Sequence, residues 1–379
     1  VADWLDGLRR RAELRAKAGL ARELRPRTAD DPLTDLAGND YLGLATHAEV
    51  VAAAADALHR YGLGATGSRL VRGSTDAHAA LETDLADWLG ADRALVFSSG
   101  YLANLGAVRA LVRPRTLLVC DAHNHASLID GGRLAGAQTE VVAHADPAAV
   151  DAVLAAHPGR PAVVITESVF SVDGDLAPLA ALHAVVRRHG ALLLVDDAHA
   201  LGVIGPAGAG GVAAAGLAGQ PDVVVTATLS KALGGAGGVL AGPQPLIRHL
   251  VDTGRTFIFD TALAPAVAAG VHAALTLARD GARLRVELTD RVAAAVGRFT
   301  GAGLDVGGPP AGGVVSIGAP GPETALAWAR DCRDRGVAVG CFRPPSTPDQ
   351  RARLRITVNV GIPRADFDRA LDVIVECAP

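Results

Sequence analysis

Seven short runs between residues 93 and 242 are almost wholly apolar: "RALVFSSG", "RTLLVCD", "TEVVAHA", "PAVVITESV", "ALLLVDDAH", "DVVVTATL" and "GGVLAG". Most lack the apolar–polar alternation of a half-exposed strand. Continuous runs of this kind predict strands in a sheet covered on both faces. Helical stretches lie between them, such as "APLAALHAVVRRHG", which closes on a glycine suited to a helix end. Strand–helix alternation over about 150 residues predicts an α/β layer with a mostly parallel sheet. Such sheets bind ligands at the carboxyl ends of their strands. The polar residues collect there: Ser98-Ser99-Gly100, Asp121 with His123 and His125, Glu167, Asp196 with His199, and Thr228 with Lys231.

The pattern changes on either side of this block. The first 27 residues read as one helix carrying eight Lys/Arg against four Asp/Glu. That excess suits a solvated helix face, or an entry helix that meets anions. After about residue 255 the pattern turns helical through "ALAPAVAAGVHAALTLARDGARLRVELTDRVAAAVGRFT". Three further strand-like runs follow, "GGVVSIGA", "GVAVGCF" and "RLRITVNV", with helices "TALAWARDCRDRG" and "ADFDRALDVIVECA". The expected organisation is an N-terminal helical segment (1–45), a large α/β domain (46–255) and a smaller C-terminal α+β domain (256–379).

Composition narrows the function classes. Half of the 379 residues are hydrophobic, which is ample for a large core. The net charge of −4 argues against a general nucleic-acid binder or a membrane-surface protein. The four cysteines, Cys120, Cys332, Cys341 and Cys377, form no CxxC pair, so neither a zinc knuckle nor a disulfide framework is indicated. A reducing compartment, the cytoplasm, is the expected setting. The amino end "VADWLDGLRRRAEL" has no apolar core of a secretion signal. The long apolar stretches are broken by Gly, Pro or charge, so no spanning helix is expected.

Lys231 and Lys17 are the only lysines in an arginine-rich chain. Arginine stays protonated near neutral pH, whereas a desolvated lysine amine can lose its proton and attack a carbonyl. Lys231 lies in "TATLSKALGG", where small residues let a bulky ligand approach the backbone. "SSGYLAN" offers small residues and N–H groups at a strand-to-helix turn, which suits a phosphate. "DAHNHASL" puts a titratable aromatic ring at another strand end, and "VDDAH" puts a carboxylate directly after a buried strand. Each alone has a plain structural reading: a turn, a loop histidine, a helix cap or a metal-binding acid. Together they meet the needs of pyridoxal phosphate (PLP), which wants a lysine for its aldehyde and an acid for its ring nitrogen. It also wants a ring to stack on it and a nest for its phosphate. No metal site is expected.

At this point the sequence resembles the α-oxoamine synthases of the fold-type I, PLP-dependent aminotransferase superfamily. The resemblance runs over nearly the whole chain, through "NDYLGL", "GSRLVRG", "SSGYLAN", "NHASL", "TESVFSVDGDLAPL", "VDDAHALGVIG" and "TLSKALGGAGG". It implies a mostly parallel central sheet with a smaller C-terminal domain, and a homodimer with its active site between subunits. The segment "CFRPPSTPDQRARLRITV" is most similar to members that condense L-alanine with a pimeloyl thioester for biotin synthesis. The thioester is carried on coenzyme A or on a carrier protein. A sibling activity, glycine or serine with another acyl thioester, is the alternative.

The resemblance also implies roles. Lys231 carries the cofactor aldehyde and then acts as acid and base. Asp196 pairs with the ring nitrogen, His199 contacts the ring oxygen and His125 stacks on the ring. Ser99, Gly100, Tyr101 and Thr228 surround the phosphate, Ser171 adds a polar contact, and Thr261 reaches the phosphate of the neighbouring subunit's cofactor. Arg355 grips the amino-acid carboxylate with help from Asn39, Glu167 stands near the reacting substrate, and Arg22 is matched to the far carboxylate of the acyl chain. Two departures stand out, the first bearing on the phosphate role of its loop and the second neutral. Asp260 replaces a serine common in relatives, and "NVGIP" replaces the usual ending after the arginine strand. Two other readings compete. "GGAGG" suggests a dinucleotide site, but these glycines follow a lysine and precede a strand instead of opening a helix. A non-catalytic partner subunit would have no chemical need for Lys231, Asp196, His199 and Arg355 together.

Overall fold

The computed structural model describes residues 2–344 and 346–379; Val1 and Pro345, the latter inside the "RPPSTP" segment, lie outside them. The described residues form eleven strands: β1 (Thr34–Leu36), β2 (Arg93–Phe97), β3 (Leu117–Asp121), β4 (Gln138–Val142), β5 (Ala162–Glu167), β6 (Leu192–Asp196), β7 (Val223–Thr228), β8 (Gly238–Gly242), β9 (Val314–Gly318), β10 (Val337–Phe342) and β11 (Arg353–Thr357). All seven apolar runs of the central block are strands of one sheet, in the order β2-β8-β7-β6-β5-β3-β4. Every neighbouring pair is parallel except the two that β8 makes, with β2 and β7.

The continuous apolar character has a direct cause. Successive side chains of a strand point to opposite faces. Val119, Val164 and Val195 enter one hydrophobic core, while Leu118, Ile165 and Leu194 enter a second on the other face. With both faces covered, the middles of the central strands are apolar on both sides, and polar residues are left to the strand ends and to the exposed edge strand β4.

The smaller sheet runs β1-β10-β11-β9. Its last three strands follow the apolar runs read near the C-terminus. Its first strand corrects the reading of residues 1–45 as helical: Thr34–Leu36 pairs in parallel with Val337–Val339. A strand of three residues carries no usable period, and its partner lies some 300 residues away. The N-terminal helix is also shorter than read. It spans Ala2–Lys17, and Gly19 takes a left-handed φ of 66° just beyond it. No helix among the described residues is long and apolar enough to cross a membrane.

Candidate active site

The carboxyl ends of β5, β6 and β7 place three polar residues side by side. Glu167 is in register with Asp196, and Asp196 with Thr226. Residues in register share a face, so two carboxylates meet on one side of the sheet. Both open into a cavity of about 250 Å³, which is also lined by Ser99, Gly100, Tyr101, Asn104, His125, His199, Thr228 and Lys231. A separate cavity of about 190 Å³ lies at the opposite strand ends, around Leu89, Val212 and Ala241, with Asp92 as its one ionisable group.

Lys231 follows β7 on the turn that leads into β8. Its side chain is half-buried in the cavity wall, and the loss of solvent around the ammonium pushes it down to about 8; Asp196 and Glu167 pull the other way, and Arg355 adds to the fall. Burial, reinforced by Asp196, pushes Glu167 up to about 8. The opposed shifts leave a buried acid and a half-buried amine close to neutrality together. Glu167 Oε2 accepts from the Ser171 N–H at 3.0 Å, while Oε1 is buried with no partner.

Asp196 is held from two sides. Its Oδ1 accepts from the Ala198 N–H at 3.0 Å, and its Oδ2 accepts from Asn104 Nδ2 at 2.7 Å. Asn104 also donates to Ser127 Oγ at 2.8 Å and accepts from Thr226 Oγ1 at 2.6 Å. Ser127 Oγ lies 2.7 Å from His125 Nδ1, which accepts the Ser127 N–H at 3.3 Å. One buried amide therefore orients both the acid and the histidine ring. Burial lowers the His125 pKa, with Lys231 and Arg355 reinforcing it against Asp196. His199 is pushed further down, by burial and then by the charges of Lys231 and Arg355. Its Nδ1 shares a 2.5 Å hydrogen bond with Tyr41 Oη. The second acid of the "DD" pair turns away: Asp197 is fully buried, accepts from the Gly211 N–H at 2.9 Å and is pushed up to about 6 by burial.

Another part of the cavity lining is the start of the helix Gly100–Leu111, capped by Ser99 Oγ, which accepts from the Leu102 N–H at 3.2 Å. Its first N–H groups have no partner inside the helix. A Cβ on Gly100 would approach Thr228 Cβ to 3.1 Å, and one on Gly238 would meet the Ser99 carbonyl at 2.5 Å. Glycine at both positions lets β8 and this helix end close on the cavity. Thr228 Oγ1 lies 2.8 Å from Ser230 Oγ, and Tyr101 Oη donates to Asp130 at 2.7 Å.

Arg355 reaches the site from β11 of the smaller sheet. It is buried, donates to the Ser171 carbonyl at 2.8 Å and to Asn39 Oδ1 at 3.0 Å, and stacks 4.5 Å above the Phe342 ring. Its Nε is buried without a partner. Arg355, Asn39 and Ser171 do not line the cavity themselves and are tied to it through the Ser171 N–H bond to Glu167, whereas two other residues matched by family resemblance lie elsewhere. Thr261 is exposed, bridged to Ser68 and absent from the cavity lining. Arg22 is exposed and donates to Ser346 Oγ at 2.6 Å. Asp260, in the serine position of relatives, accepts from the Ser98 hydroxyl.

Sequence reasoning passed over Asn104 and Tyr41, although both stand inside quoted motifs. Asn104 had a signal: an amide amid "YLANLGAV", on a helix face otherwise made of small and apolar residues, must find partners or be costly to bury.

Comparison with known proteins agrees with this geometry. Residues 31–374 match the model of the family "Aminotransferase class I and II". The chain is 50% identical over 374 residues to an 8-amino-7-oxononanoate synthase of Mycobacterium sp. (strain JLS), covering 98% of this chain and 96% of that one. It is 52% identical over 378 residues to one from Mycolicibacterium smegmatis, with the same coverage. Among solved structures, a serine palmitoyltransferase from S. paucimobilis with PLP and myriocin bound superposes with a TM-score of 0.92 at 28% identity, covering 100% and 98% of the two chains. An 8-amino-7-oxononanoate synthase from Francisella tularensis superposes with a TM-score of 0.78 at 25% identity, covering 92% and 98%. The chain belongs to the class I and II aminotransferase family of fold-type I enzymes and, within it, to the branch of the 8-amino-7-oxononanoate synthases.

Proposed function

We propose that the protein condenses L-alanine with a pimeloyl thioester, giving 8-amino-7-oxononanoate, CO2 and the free thiol, with PLP as cofactor. One observation carries the reading: identity of about one half, over nearly the full length, to synthases of that name. The likeness to serine palmitoyltransferase is higher in shape but falls to 28% in identity, so it speaks for the shared scaffold more than for the substrate.

The residues present fit PLP. The cavity joins an amine, two carboxyl groups, two imidazoles, a phenol and a helix N-terminus, and two buried polar atoms lack partners, Glu167 Oε1 in its lining and Arg355 Nε behind it. When bound, PLP supplies an aldehyde for amines and a ring that withdraws the electron pair released at the substrate α-carbon. Lys231 Nζ would hold the aldehyde, and its weakened basicity lets the same nitrogen take up and return the α-proton. Asp196, fixed by Asn104, would keep a proton on the ring nitrogen. His125 would stack on the ring, and His199, held neutral, would meet its oxygen. Ser99, Gly100, Tyr101 and Thr228 would hold the phosphate at the helix start. Ser171 would add a polar contact. Arg355, with Asn39, would bind the alanine carboxylate through a two-pronged pair, beside the Glu167 carboxyl. Arg22 would meet the distal carboxylate of the acyl chain, brought as a coenzyme A or carrier-protein thioester.

A homodimer belongs to the same reading. Leu63, Val71 and Phe259 are 86%, 77% and 71% exposed, on segments joined by the Ser68–Thr261 bridge. A second copy covering this apolar face would bring Thr261 to its neighbour's cofactor, and light scattering should then give the mass of two chains.

The test is product analysis by mass spectrometry with PLP, pimeloyl-CoA or its carrier-protein form, and each of L-alanine, glycine and L-serine. Formation of 8-amino-7-oxononanoate from L-alanine is expected. Product from glycine or serine alone would move the protein to a sibling activity. No product with any pairing would overturn the reading.

A further inference from the structure

Residues 168–177 form a turn between β5 and the helix Leu179–Arg188. The turn is closed on itself by three backbone bonds: Phe170 N–H to Asp175 O, Gly174 N–H to Phe170 O and Ala177 N–H to Ser168 O, each 2.9 Å. At its centre, the Ser171 peptide groups serve two site residues at once. The N–H donates to Glu167, and the carbonyl accepts from Arg355. A small shift of this turn would therefore disturb both.

Two ties hold the turn from outside. From β11, Arg353 pairs with Asp173. From the loop after β4, His144 Nε2 meets Asp175 Oδ2 at 2.9 Å, while its Nδ1 meets Asp121 Oδ1 at 2.9 Å at the end of β3. Asp121 is itself fixed by the N–H groups of His123 at 2.8 Å and Ala145 at 2.7 Å. The His144 ring is clamped between His123, stacked at 3.9 Å, and the edge of Phe170 at 4.3 Å. Two ring nitrogens facing two carboxylates can both donate only when the imidazole is protonated.

The surrounding charges agree. Asp121 and Asp175 face His144 directly; His123 is its one titratable aromatic neighbour, and Asp173 and Asp349 act on His123. Burial would lower the His144 pKa, but bonds to the two carboxylates outweigh it and push it up to about 10. Burial and the neighbouring His144 charge hold His123 down. The proton thus sits on the bridging ring.

We propose that His144 is a positioning residue for the amino-acid carboxylate site: by bridging Asp121 and Asp175 it fixes the turn whose Ser171 backbone holds Arg355 and Glu167. The inference rests on the reading of Arg355 as the carboxylate-binding residue.

The test compares wild type, His144→Ala and Asp175→Asn as holoenzymes. L-Alanine affinity is read from the change in cofactor absorbance on titration, and KM for pimeloyl thioester and thermal stability are measured alongside. His144→Ala should weaken L-alanine binding about tenfold while the thioester KM stays within about twofold. Asp175→Asn, which keeps an acceptor oxygen but loses the charge, should fall between. Unchanged L-alanine affinity in both variants would overturn the proposal. So would an equal loss of both affinities together with stability, which marks a structural role only. Wild-type enzyme that binds L-alanine but forms no ketone would fail the functional reading, while the L-alanine titrations and thermal stabilities of the three proteins would still test the positioning role. Wild type that does not bind L-alanine overturns both.

Discussion

At the scale of single residues, the site depends on groups that touch no substrate. Asn104 donates two hydrogen bonds and accepts one, so every polar atom of its side chain is used. Asn104→Ala should leave an Asp196 oxygen and the Thr226 hydroxyl short of partners, at a cost of about 1–3 kcal/mol in stability. Turnover should fall further than L-alanine affinity, because the amide aims Asp196 and His125 and not Arg355. Steady-state kinetics beside a denaturant titration would check both, and unchanged kinetics would refute the orienting role. Residues of this kind are hard to read from sequence. Lys231 announces itself by rarity, and Asp196 by ending an apolar run. Asn104 only looks like an odd member of a helix until Ser127, Thr226 and Asp196 arrive from three other elements.

At the scale of elements, the strands were the most legible part, because an apolar residue on both faces leaves a run that little else produces. What the runs did not disclose was direction. β8 reads like its neighbours, yet it is the one antiparallel strand of its sheet, since the short turn carrying Lys231 leaves no room for a crossover helix. That reversal starts β8 at the site, with Gly238 pressed against Ser99 and Gly100. Gly238→Ala would drive its Cβ to 2.5 Å from backbone atoms that cannot swing aside. It should destabilise the protein by about 1–3 kcal/mol and weaken cofactor binding. Gly297, inside the helix Ala282–Gly301, has nothing within 4 Å of a built Cβ. There Gly→Ala should instead stabilise by about 0.5–1 kcal/mol, through helix propensity and a stiffer unfolded chain. Denaturation midpoints of the two variants should move in opposite directions.

At the scale of the whole molecule, the large sheet and the smaller C-terminal unit are fastened by two buried arginines: Arg353 with Asp173, and Arg355 with the Ser171 carbonyl. The His144 bridge extends this fastening to the ends of β3 and β4. Its folded pKa, about 10, lies above the usual histidine value. The stability it contributes is therefore complete below about pH 6.5, shrinks as pH rises and is gone above about pH 10. Wild type should lose thermal stability between about pH 7 and 10 more steeply than His144→Gln. Parallel melting curves across that range would contradict the assignment. Family resemblance had pointed to the cavity residues, but not to this network, whose members are spread from Asp121 to Arg353 and meet only in the folded chain.

The pairing of β1 with β10 joins two strands about 300 residues apart in the chain. A ribosome emits Thr34–Leu36 long before Val337–Val339 exists. The nascent chain can close its large sheet early, but β1 must wait until that sheet and the helices after it have all been made. Until then its edge is open to other chains. Late truncation products should accordingly be more prone to aggregate than the full-length protein. A chain deprived of its first 36 residues should bear the complementary fault, with β10 left as the uncovered border of the smaller sheet.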